Sequence, residues 1–463
     1  AQFNAAYGLT ALDAITTGDN NVAMGYGAGG ALNTGGNNTI MGYTAAASIT
    51  DDTNNVVIGH RAGNALTDSN NVIIGSDAAR VGTTHEGNVI IGKTAAGNAA
   101  FTGDNNVIIG REAGLVATTA SADVIIGEDA GRAITEATRV VLIGANAGAS
   151  ITNGSDNLMI GQNAGDGFDT EGNNIGIGTA ALGGSIAGGE YNVAIGNNTL
   201  DALTSGDFNV AVGYQAGSAL TTGGRNIIMG YQAMADAAVT GTSNVVIGYH
   251  AGKAITSADS NVILGHRTAL VLTEQSNSVI IGEGAGFDKT TGTNVVFIGH
   301  NAGKDHDTES ENIFIGNEAG AGPIAGGEYN IAIGNNSLDA LTSGDKNVAV
   351  GYEALTTNTA NTGIVAVGYR ALATLNGGDG QSVAVGQQAL EANTTGAYNT
   401  AVGMNALKAN TDGATNVAVG SDALIGNTTG DRNIGIGQAT IYQADTENDN
   451  IAIGNAALAG VIA

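Results

Sequence analysis

A short apolar block recurs along the whole chain. In its commonest form it reads Asn-Val-x-Ile-Gly-x-x-Ala, and its glycine returns 27 times, from Gly8 to Gly454. Most intervals between these glycines are seventeen residues long, as from Gly8 to Gly25. Five intervals are one residue longer, and one is one residue shorter. Self-similarity at a fixed short period is the signature of a repeat protein. We number the positions of each turn from this glycine, which is position 0.

The pattern within one period predicts strands and bends. Val-x-Ile is rich in β-branched residues, which favour strands, and a glycine directly after it permits a bend with positive φ. A period this short cannot hold a strand and a helix around a packed core, but it suits two or three short strands. We therefore predict an all-β chain, a parallel β-solenoid of about 27 turns. Residues 1–463 form a single continuous repeat domain in this prediction, and a strand spacing of ~4.8 Å makes a rod of roughly 130 Å.

Two polar rows keep a constant phase in the repeat. Position −4 is Asn in 21 of the 27 turns, and the exceptions include Asp123 and Ser278. Asparagines at one phase are expected to stack as a ladder of side-chain amides, each bonded to the next turn. Position +8 is Thr in 17 turns, as at Thr204 and Thr221. We interpret this row as threonines stacked at a turn.

Position −2, between Val and Ile, is the third informative row. In a strand with one buried face this residue should be polar, yet it is apolar or Gly in every turn. A long apolar stripe is unfavourable in water, so we predict that one face of the strand contacts the coil's own core and the other a second chain. The alternative is a flattened coil that buries both faces within one chain. The predicted oligomer interface comprises Ile40, Val57, Ile73, Ile90, Ile108, Ile125, Leu142, Met159, Ile228, Val246, Ile263, Ile280, Phe297 and Phe314.

Composition narrows the possible partners. The chain has 15 Lys and Arg against 42 Asp and Glu, for a formal charge of −27. Such a chain repels phosphate backbones, so we expect no nucleic-acid partner. It has no cysteine, which excludes disulfides and Cys-type zinc sites. No apolar run approaches the ~20 residues of a membrane-spanning helix, and we expect no membrane span.

A longer period of eight turns lies above the short one. The segment 186–196 recurs almost unchanged at 324–334, so the chain grew by duplication of an eight-turn block. The pattern also continues if residue 463 is joined to residue 1, because the step from Gly454 to Gly8 then equals the usual interval. Since neither end carries a polar cap, we expect a slice of a longer fibre or copies stacked end to end. The predicted end-to-end contacts are Ala1, Phe3, Asn4, Ile462 and Ala463.

Several blocks of the chain resemble a known family. Asn192-Val-Ala-Ile-Gly196, Asn209-Val-Ala-Val-Gly213-Tyr-Gln-Ala216 and Asn399-Thr-Ala-Val-Gly403 are similar to the head repeats of YadA-like trimeric autotransporter adhesins. They also resemble repeats of phage tail fibres and bacterial surface proteins. This resemblance implies a left-handed β-roll, three chains packed in parallel as a homotrimer, and a role in attachment at a cell surface or on a virion.

Candidate chemical motifs are few. Glycine-rich stretches lack the strand–loop–helix context of phosphate loops, the six histidines are scattered, and no catalytic constellation stands out. We predict no catalytic residue, metal or cofactor. Tyrosines at +1 form runs that either are corner aromatics or contact a glycan or another chain. The predicted surface strip comprises Tyr214, Tyr231, Tyr249, Tyr352 and Tyr369.

These observations favour a structural role over catalysis. The leading hypothesis is the shaft or head of an extracellular adhesive fibre or phage tail fibre, whose partners are further copies of itself and a surface glycan or receptor. A head-to-tail filament subunit is the first alternative, favoured by the continuous ends. An ice-binding solenoid is the second, favoured only by the threonine content, and thermal hysteresis would distinguish it.

Overall fold

The computed structural model describes residues 1–184, 188–236, 238–323, 326–378, 380–443 and 445–460. Among these residues every named element is a β-strand of three residues, and each strand directly precedes a repeat glycine. Each strand pairs in parallel with the strand of the next turn within its unit, as in Val193↔Val210 and Val348↔Val365. The prediction of an all-β parallel solenoid, with about 27 turns that each take about seventeen positions, is confirmed.

The chain divides into two compact units, Ala1–Thr240 and Gly241–Ala463. Both consist of the same repeat, and the single continuous domain expected from the sequence stays a prediction. The strands of the first unit are β1 Ala5–Tyr7, β2 Val22–Met24, β3 Thr39–Met41, β4 Val56–Ile58, β5 Val72–Ile74, β6 Val89–Ile91, β7 Val107–Ile109, β8 Val124–Ile126, β9 Val141–Ile143, β10 Leu158–Ile160, β11 Ile175–Ile177, β12 Val193–Ile195, β13 Val210–Val212 and β14 Ile227–Met229. Those of the second unit are β15 Val245–Ile247, β16 Val262–Leu264, β17 Val279–Ile281, β18 Val296–Ile298, β19 Ile313–Ile315, β20 Ile331–Ile333, β21 Val348–Val350, β22 Val365–Val367, β23 Val383–Val385, β24 Thr400–Val402, β25 Val417–Val419, β26 Ile434–Ile436 and β27 Ile451–Ile453.

The repeat glycine is required by both conformation and space. Gly213, for example, has φ of 138°, and a Cβ built on it would lie 2.5 Å from the carbonyl oxygen of Gly230 in the next turn. An L side chain rarely adopts this φ, and no atom of the neighbouring backbone can move away without breaking the ladder. The chain therefore bends at the end of each strand while staying in contact with the turn beside it.

The core of each coil is filled by complementary side chains at −2 and +4. Phe314 at −2 is accompanied by Gly320 at +4, where a Cβ would come within 2.6 Å of the phenyl ring. Ala349 at −2 is accompanied by Leu355 at +4, and both are fully buried. Across the sequence, bulky residues at −2 mostly go with Gly or Ala at +4, and Ala or Gly at −2 mostly goes with Leu. The two positions share one space inside a single coil.

The predicted oligomer interface at −2 is therefore wrong, because this row lies inside the coil of one chain. Every strand from β2 to β26 buries its middle residue and leaves the flanking residues partly exposed, as alternation along a strand requires. By placing the −2 row on the outer face of the strand, the sequence prediction implied that Val at −3 and Ile at −1 face the core. The structure has these two faces the other way round. The residues that the structure places in the core, all with no exposed surface, are Ile40, Val57, Ile73, Ile90, Ile108, Ile125, Leu142, Met159, Ile228, Val246, Ile263, Ile280, Phe297 and Phe314.

Candidate functional site

The outward face of the sheet carries two apolar rows, at −3 and −1, which we call the apolar strip. Val22 and Met24 are 42% and 46% exposed, whereas Ala23 between them is 1% exposed. At −3 only Thr39 and Thr400 carry a polar group, and every −1 residue is aliphatic, Met or Tyr. The sequence prediction did not identify this strip, because it placed the −2 row, and not the −3 and −1 rows, on the outer face of the strand. The size complementarity of −2 and +4 was the signal that could have corrected it.

The predicted tyrosine strip is exposed and partly stacked. Its five tyrosines are each between 43% and 46% exposed. The ring centroids of Tyr214 and Tyr231 are 5.3 Å apart, and those of Tyr352 and Tyr369 are 5.5 Å apart. Tyr249, in the second unit, stacks on His266 at 5.2 Å. These rings form flat, accessible surfaces beside the apolar strip, and their contact with a glycan or another chain stays a prediction.

The asparagine ladder at −4 is confirmed, and it is buried. The Asn38 backbone N–H donates to the Asn21 side-chain oxygen at 3.0 Å, and the Asn38 side-chain amide donates to the Asp52 carbonyl at 2.8 Å. In the next turn, the Asn55 N–H donates to the Asn38 oxygen at 3.0 Å. Each such amide thus satisfies a backbone donor and a backbone acceptor that the bend would leave buried without partners.

Asp123 replaces an asparagine in this ladder and is 1% exposed. Its Oδ1 accepts the Val140 N–H at 2.9 Å, and its own N–H donates to the Asn106 side chain at 2.9 Å. Its Oδ2 is buried without a hydrogen-bond partner. Burial raises the pKa of Asp123 to about 7, although backbone N–H groups of Val140 and Arg139 act in the opposite direction. The ladder therefore contains one group that titrates near neutral pH.

Three ionisable side chains lie together in the core of the second unit. Lys289 and His306 have no exposed surface, and Glu309 is 3% exposed. Burial opposes ionisation of Glu309, but the His306 ring, whose Nδ1 lies 3.4 Å from its carboxylate, and the Gly326 N–H, which donates to it at 2.9 Å, outweigh burial and lower its pKa to about 2. Burial lowers the pKa of His306 to about 4 and that of Lys289 to about 8. His306 is thus neutral at pH 7, and neither of its ring nitrogens makes a hydrogen bond of good geometry.

A cleft of ≈ 290 Å³ opens on the surface of the second unit, and we call it the basic cleft. Its lining includes His266 and Arg267 of one turn, Gly284 and Phe287 of the next turn, and Lys304 of the turn after that. The Arg267 guanidinium carbon lies 5.2 Å from the centre of the Phe287 ring, within cation–π distance. Sequence reasoning did not find this cleft, because its residues come from three successive turns and match no linear motif.

The threonine row at +8 bonds along the axis of the repeat. The Thr204 hydroxyl donates to the Thr221 carbonyl and the Thr221 hydroxyl to the Val239 carbonyl, both at 2.9 Å. Because each hydroxyl bonds to the backbone of the next turn, it stabilises the contact between turns. This arrangement agrees with the interpretation of the row as stacked turn residues, and these contacts give no support to the ice-binding alternative.

The residues of the predicted end-to-end contact have different surroundings. Ile462 and Ala463 lie outside the described residues. Phe3 is 82% exposed, and the Asn4 side chain accepts the Asn21 N–H at 2.8 Å as a member of the ladder. The Ala1 amino group lies 4.0 Å from the Asp19 carboxylate. The end-to-end contact itself stays a prediction.

Within the described parts of the chain, no three His, Asp or Glu side chains are grouped so that they could hold a metal ion. The same residues include no helix that is long and apolar enough to span a membrane. No family model matches the chain, and a comparison with curated proteins found no significant match.

Proposed function

We propose that this chain is a structural fibre protein whose copies associate side by side through the apolar strip. Three parallel copies would form the shaft or head of an adhesive fibre outside the cell or on a virion. The number of copies and the attachment role rest on the resemblance to trimeric adhesin heads and tail fibres. The surface of association rests on the arrangement of side chains on the sheet.

The observation that carries the proposal is the composition of the apolar strip. No strand from β1 to β27 has a charged residue at −3 or −1, although 12% of the whole chain is Asp, Glu, Lys or Arg. At ~4.8 Å per strand and ~7 Å across the strip, the strands of the first unit present about 470 Å² of apolar face. Patches of this size on monomers are often functional, and one from each neighbour would approach the area of a specific interface.

The interior of the coil suits a mechanical role. The parallel strands are in register, and the asparagine ladder and the threonine row add side-chain hydrogen bonds between turns. Each turn then contacts its neighbours through several hydrogen bonds, and stability accumulates along the repeat. Surface attachment would fall to the exposed residues at +1, +2 and +5, which include the tyrosine strip.

The test is the mass of the particle in solution, measured by light scattering after size-exclusion chromatography. We expect three times the chain mass of 45.5 kDa for the unmodified protein. In a triple variant, Ile109, Ile126 and Ile143 at −1 are replaced by Thr, which keeps the β-branched shape that strands favour. The variant should dissociate at concentrations where the original stays associated, with an unchanged far-ultraviolet circular dichroism spectrum.

A matched control changes three exposed residues elsewhere on the same turns, Thr119, Glu136 and Asn153, to Ser. It should keep the mass of the original protein. A monomeric original protein would refute association through the strip. Association that the Ile→Thr variant leaves intact would place the contact on another face.

A further inference from the structure

The basic cleft exists because one side chain is missing from a row. At +2 the turns before and after carry Arg267 and Asn301, whereas the turn between them has Gly284. Gly284 has φ of 64°, close to the 52° and 55° of Arg267 and Asn301, so the backbone continues unchanged through the gap. A Cβ on Gly284 would lie 2.5 Å from Oδ1 of Asn301, so the Asn301 side chain extends over the glycine, and the half-buried Phe287 ring lies beside it in the cleft.

The charge of the cleft is unusual for this chain. Arg267 is exposed and has no carboxylate within ion-pair distance among the described residues, whereas seven of the nine arginines of the chain have one. Lys304 adds a second cation, 3.7 Å from the Asp305 carboxylate. On a surface with a formal charge of −27, a guanidinium that lacks a carboxylate partner and stacks on an aromatic ring is a ready donor to an external anion.

The cleft also offers groups that bind hydroxyls. Glu283 lies 3.5 Å from His266 at one edge, and Asn301 and His300 lie at the other. A carboxylate and an amide accept hydrogen bonds from hydroxyl groups, but a carboxylate repels a bare inorganic anion. Cations, acceptors and an aromatic ring together fit a molecule that has an anionic group, several hydroxyls and an apolar C–H face.

The duplicated block provides an internal comparison. At the positions that correspond to His266, Arg267 and Lys304 eight turns earlier, the first unit has Glu128, Asp129 and Asp166. The positions of Gly284 and Phe287 correspond there to Asn146 and Ala149, so the gap is filled and the aromatic ring is missing. The same repeat thus has the opposite charge in the first block. The cleft is therefore specific to this part of the chain and does not follow from the repeat pattern.

We propose that the basic cleft binds a sugar acid, a monosaccharide unit with a carboxylate, as part of a surface glycan. Arg267 and Lys304 would hold the carboxylate, Glu283 and Asn301 would accept hydrogen bonds from hydroxyls, and the Phe287 edge would contact the ring carbons. All these residues belong to one unit of one chain, so the inference does not depend on the proposed association.

Isothermal titration calorimetry of the full chain with glucuronic acid and N-acetylneuraminic acid tests the inference. We expect saturable binding with a Kd in roughly the millimolar range, as for weak single-site ligands. Glucose and N-acetylmannosamine, the matched sugars without a carboxylate, should bind at least about ten-fold more weakly. Arg267→Ala and Lys304→Ala should each lower the affinity about ten-fold.

Two further variants test whether ligand binding depends on the cleft itself, and not on surface charge in general or on a loss of folded structure. Arg370→Ala removes a cation from the same +2 row outside the cleft, where Arg370 pairs with Glu353 and Glu391, and should leave affinity unchanged. Gly284→Asn introduces the side chain of the first block, displaces the Asn301 side chain, whose Oδ1 lies 2.5 Å from the position of the added Cβ, and should abolish binding while the circular dichroism spectrum stays the same. No saturable binding, equal binding of the uncharged sugars, or equal losses in the Arg267 and Arg370 variants would overturn the proposal. Binding of a sulfated sugar alone would overturn the choice of a carboxylate.

Discussion

Asp123 provides the sharpest test of the buried ladder. Its carboxyl takes the place of an amide, has one oxygen without a partner, and has a pKa of about 7. The ordinary value is about 4, so in the folded chain this group holds a proton that the unfolded chain releases. The contribution of Asp123 to stability should therefore fall as the pH rises from about 4 to about 7, because linkage favours the state that binds more protons.

The size of the effect follows from the two pKa values. A difference of about three between them corresponds to about 4 kcal/mol above pH 7, which is an upper limit if the buried carboxylate recruits water. The Asp123→Asn substitution removes this penalty and restores a side-chain donor. In the preceding turn Asn106 uses that donor on the Ala120 carbonyl at 3.0 Å. We expect a gain of about 2–4 kcal/mol at pH 8.5 and about 1–1.5 kcal/mol at pH 5.

Urea unfolding followed by circular dichroism at pH 5 and pH 8.5 measures both values. Hydrogen exchange of the Val140 amide, which donates to Asp123, reports the same change locally and needs no two-state transition of the whole unit. The exposed Asp13 supplies the control, since Asp13→Asn also removes one negative charge, but from a side chain that lies in water.

A gain for Asp123→Asn that is the same at both pH values would refute the reasoning, because it would mean that the carboxyl does not change its charge between them. A reciprocal variant adds a second check. Asn209→Asp places a carboxyl at a ladder position in another turn, where the Asn209 amide donates to Gly223 and accepts from Asn226. The Asn209→Asp variant should be less stable than the wild type at pH 8.5, and this loss of stability should be smaller at pH 5.

Two further predictions concern the core and the bend. His306→Leu removes two buried ring nitrogens that lack well-formed hydrogen bonds, but it also removes the ring that lowers the pKa of Glu309, so its effect is read from the pH dependence. The folded pKa of His306, about 4, lies below the ordinary value, so the contribution of His306 to stability, up to about 3 kcal/mol, is lost as the pH falls from about 6.5 to 4. Urea unfolding over that range should show a smaller loss in the variant than in the wild type. Gly213→Ala should cost roughly 3 kcal/mol or more in thermal or urea unfolding, since its Cβ would meet the Gly230 carbonyl. Gly188→Ala, at a φ of 114° where the added Cβ would have none of the described atoms within 4 Å, should cost clearly less. Equal losses would mean that φ strain alone, and not the clash, is responsible.

The sequence predicts the repeat, the strand positions and the asparagine ladder because each depends on residues at a fixed phase. The face of the strand was predicted incorrectly because Val and Ile at −3 and −1 are as apolar as the −2 row, and alternation alone cannot tell two apolar faces apart. The pairing of Phe314 with Gly320 and of Ala349 with Leu355 carries the missing information. It becomes visible only when positions −2 and +4 of one turn are compared.

Other features depend on contacts that no single row contains. Non-glycine residues at +2, such as Gln215 with φ of 54° and Asn301 with φ of 55°, adopt the left-handed conformation. Their side chains give only a weak signal of it, because mainly Asn and Asp favour it. The basic cleft arises from a single absent side chain at Gly284 and from Arg267 lying over Phe287 of the next turn. Neither a sequence motif nor the repeat period predicts such an arrangement of side chains.

The complementarity of −2 and +4 has a consequence for how such a chain can change during evolution. A coil can be filled in two ways, with a large residue on the strand and a glycine at +4, or with an alanine on the strand and a leucine at +4. Recombination between repeats that breaks between these two positions joins two large residues or two small ones. Such turns are few in this chain, as with Ile228 and Met234 or Ala211 and Gly217, because two large residues crowd the coil and two small ones leave it underfilled. Breakpoints elsewhere in the turn transfer the matched pair intact. Exchange of segments that keep the −2 and +4 residues of a turn together is therefore the change that this interior accommodates most easily, and the duplication of an eight-turn block is such a change.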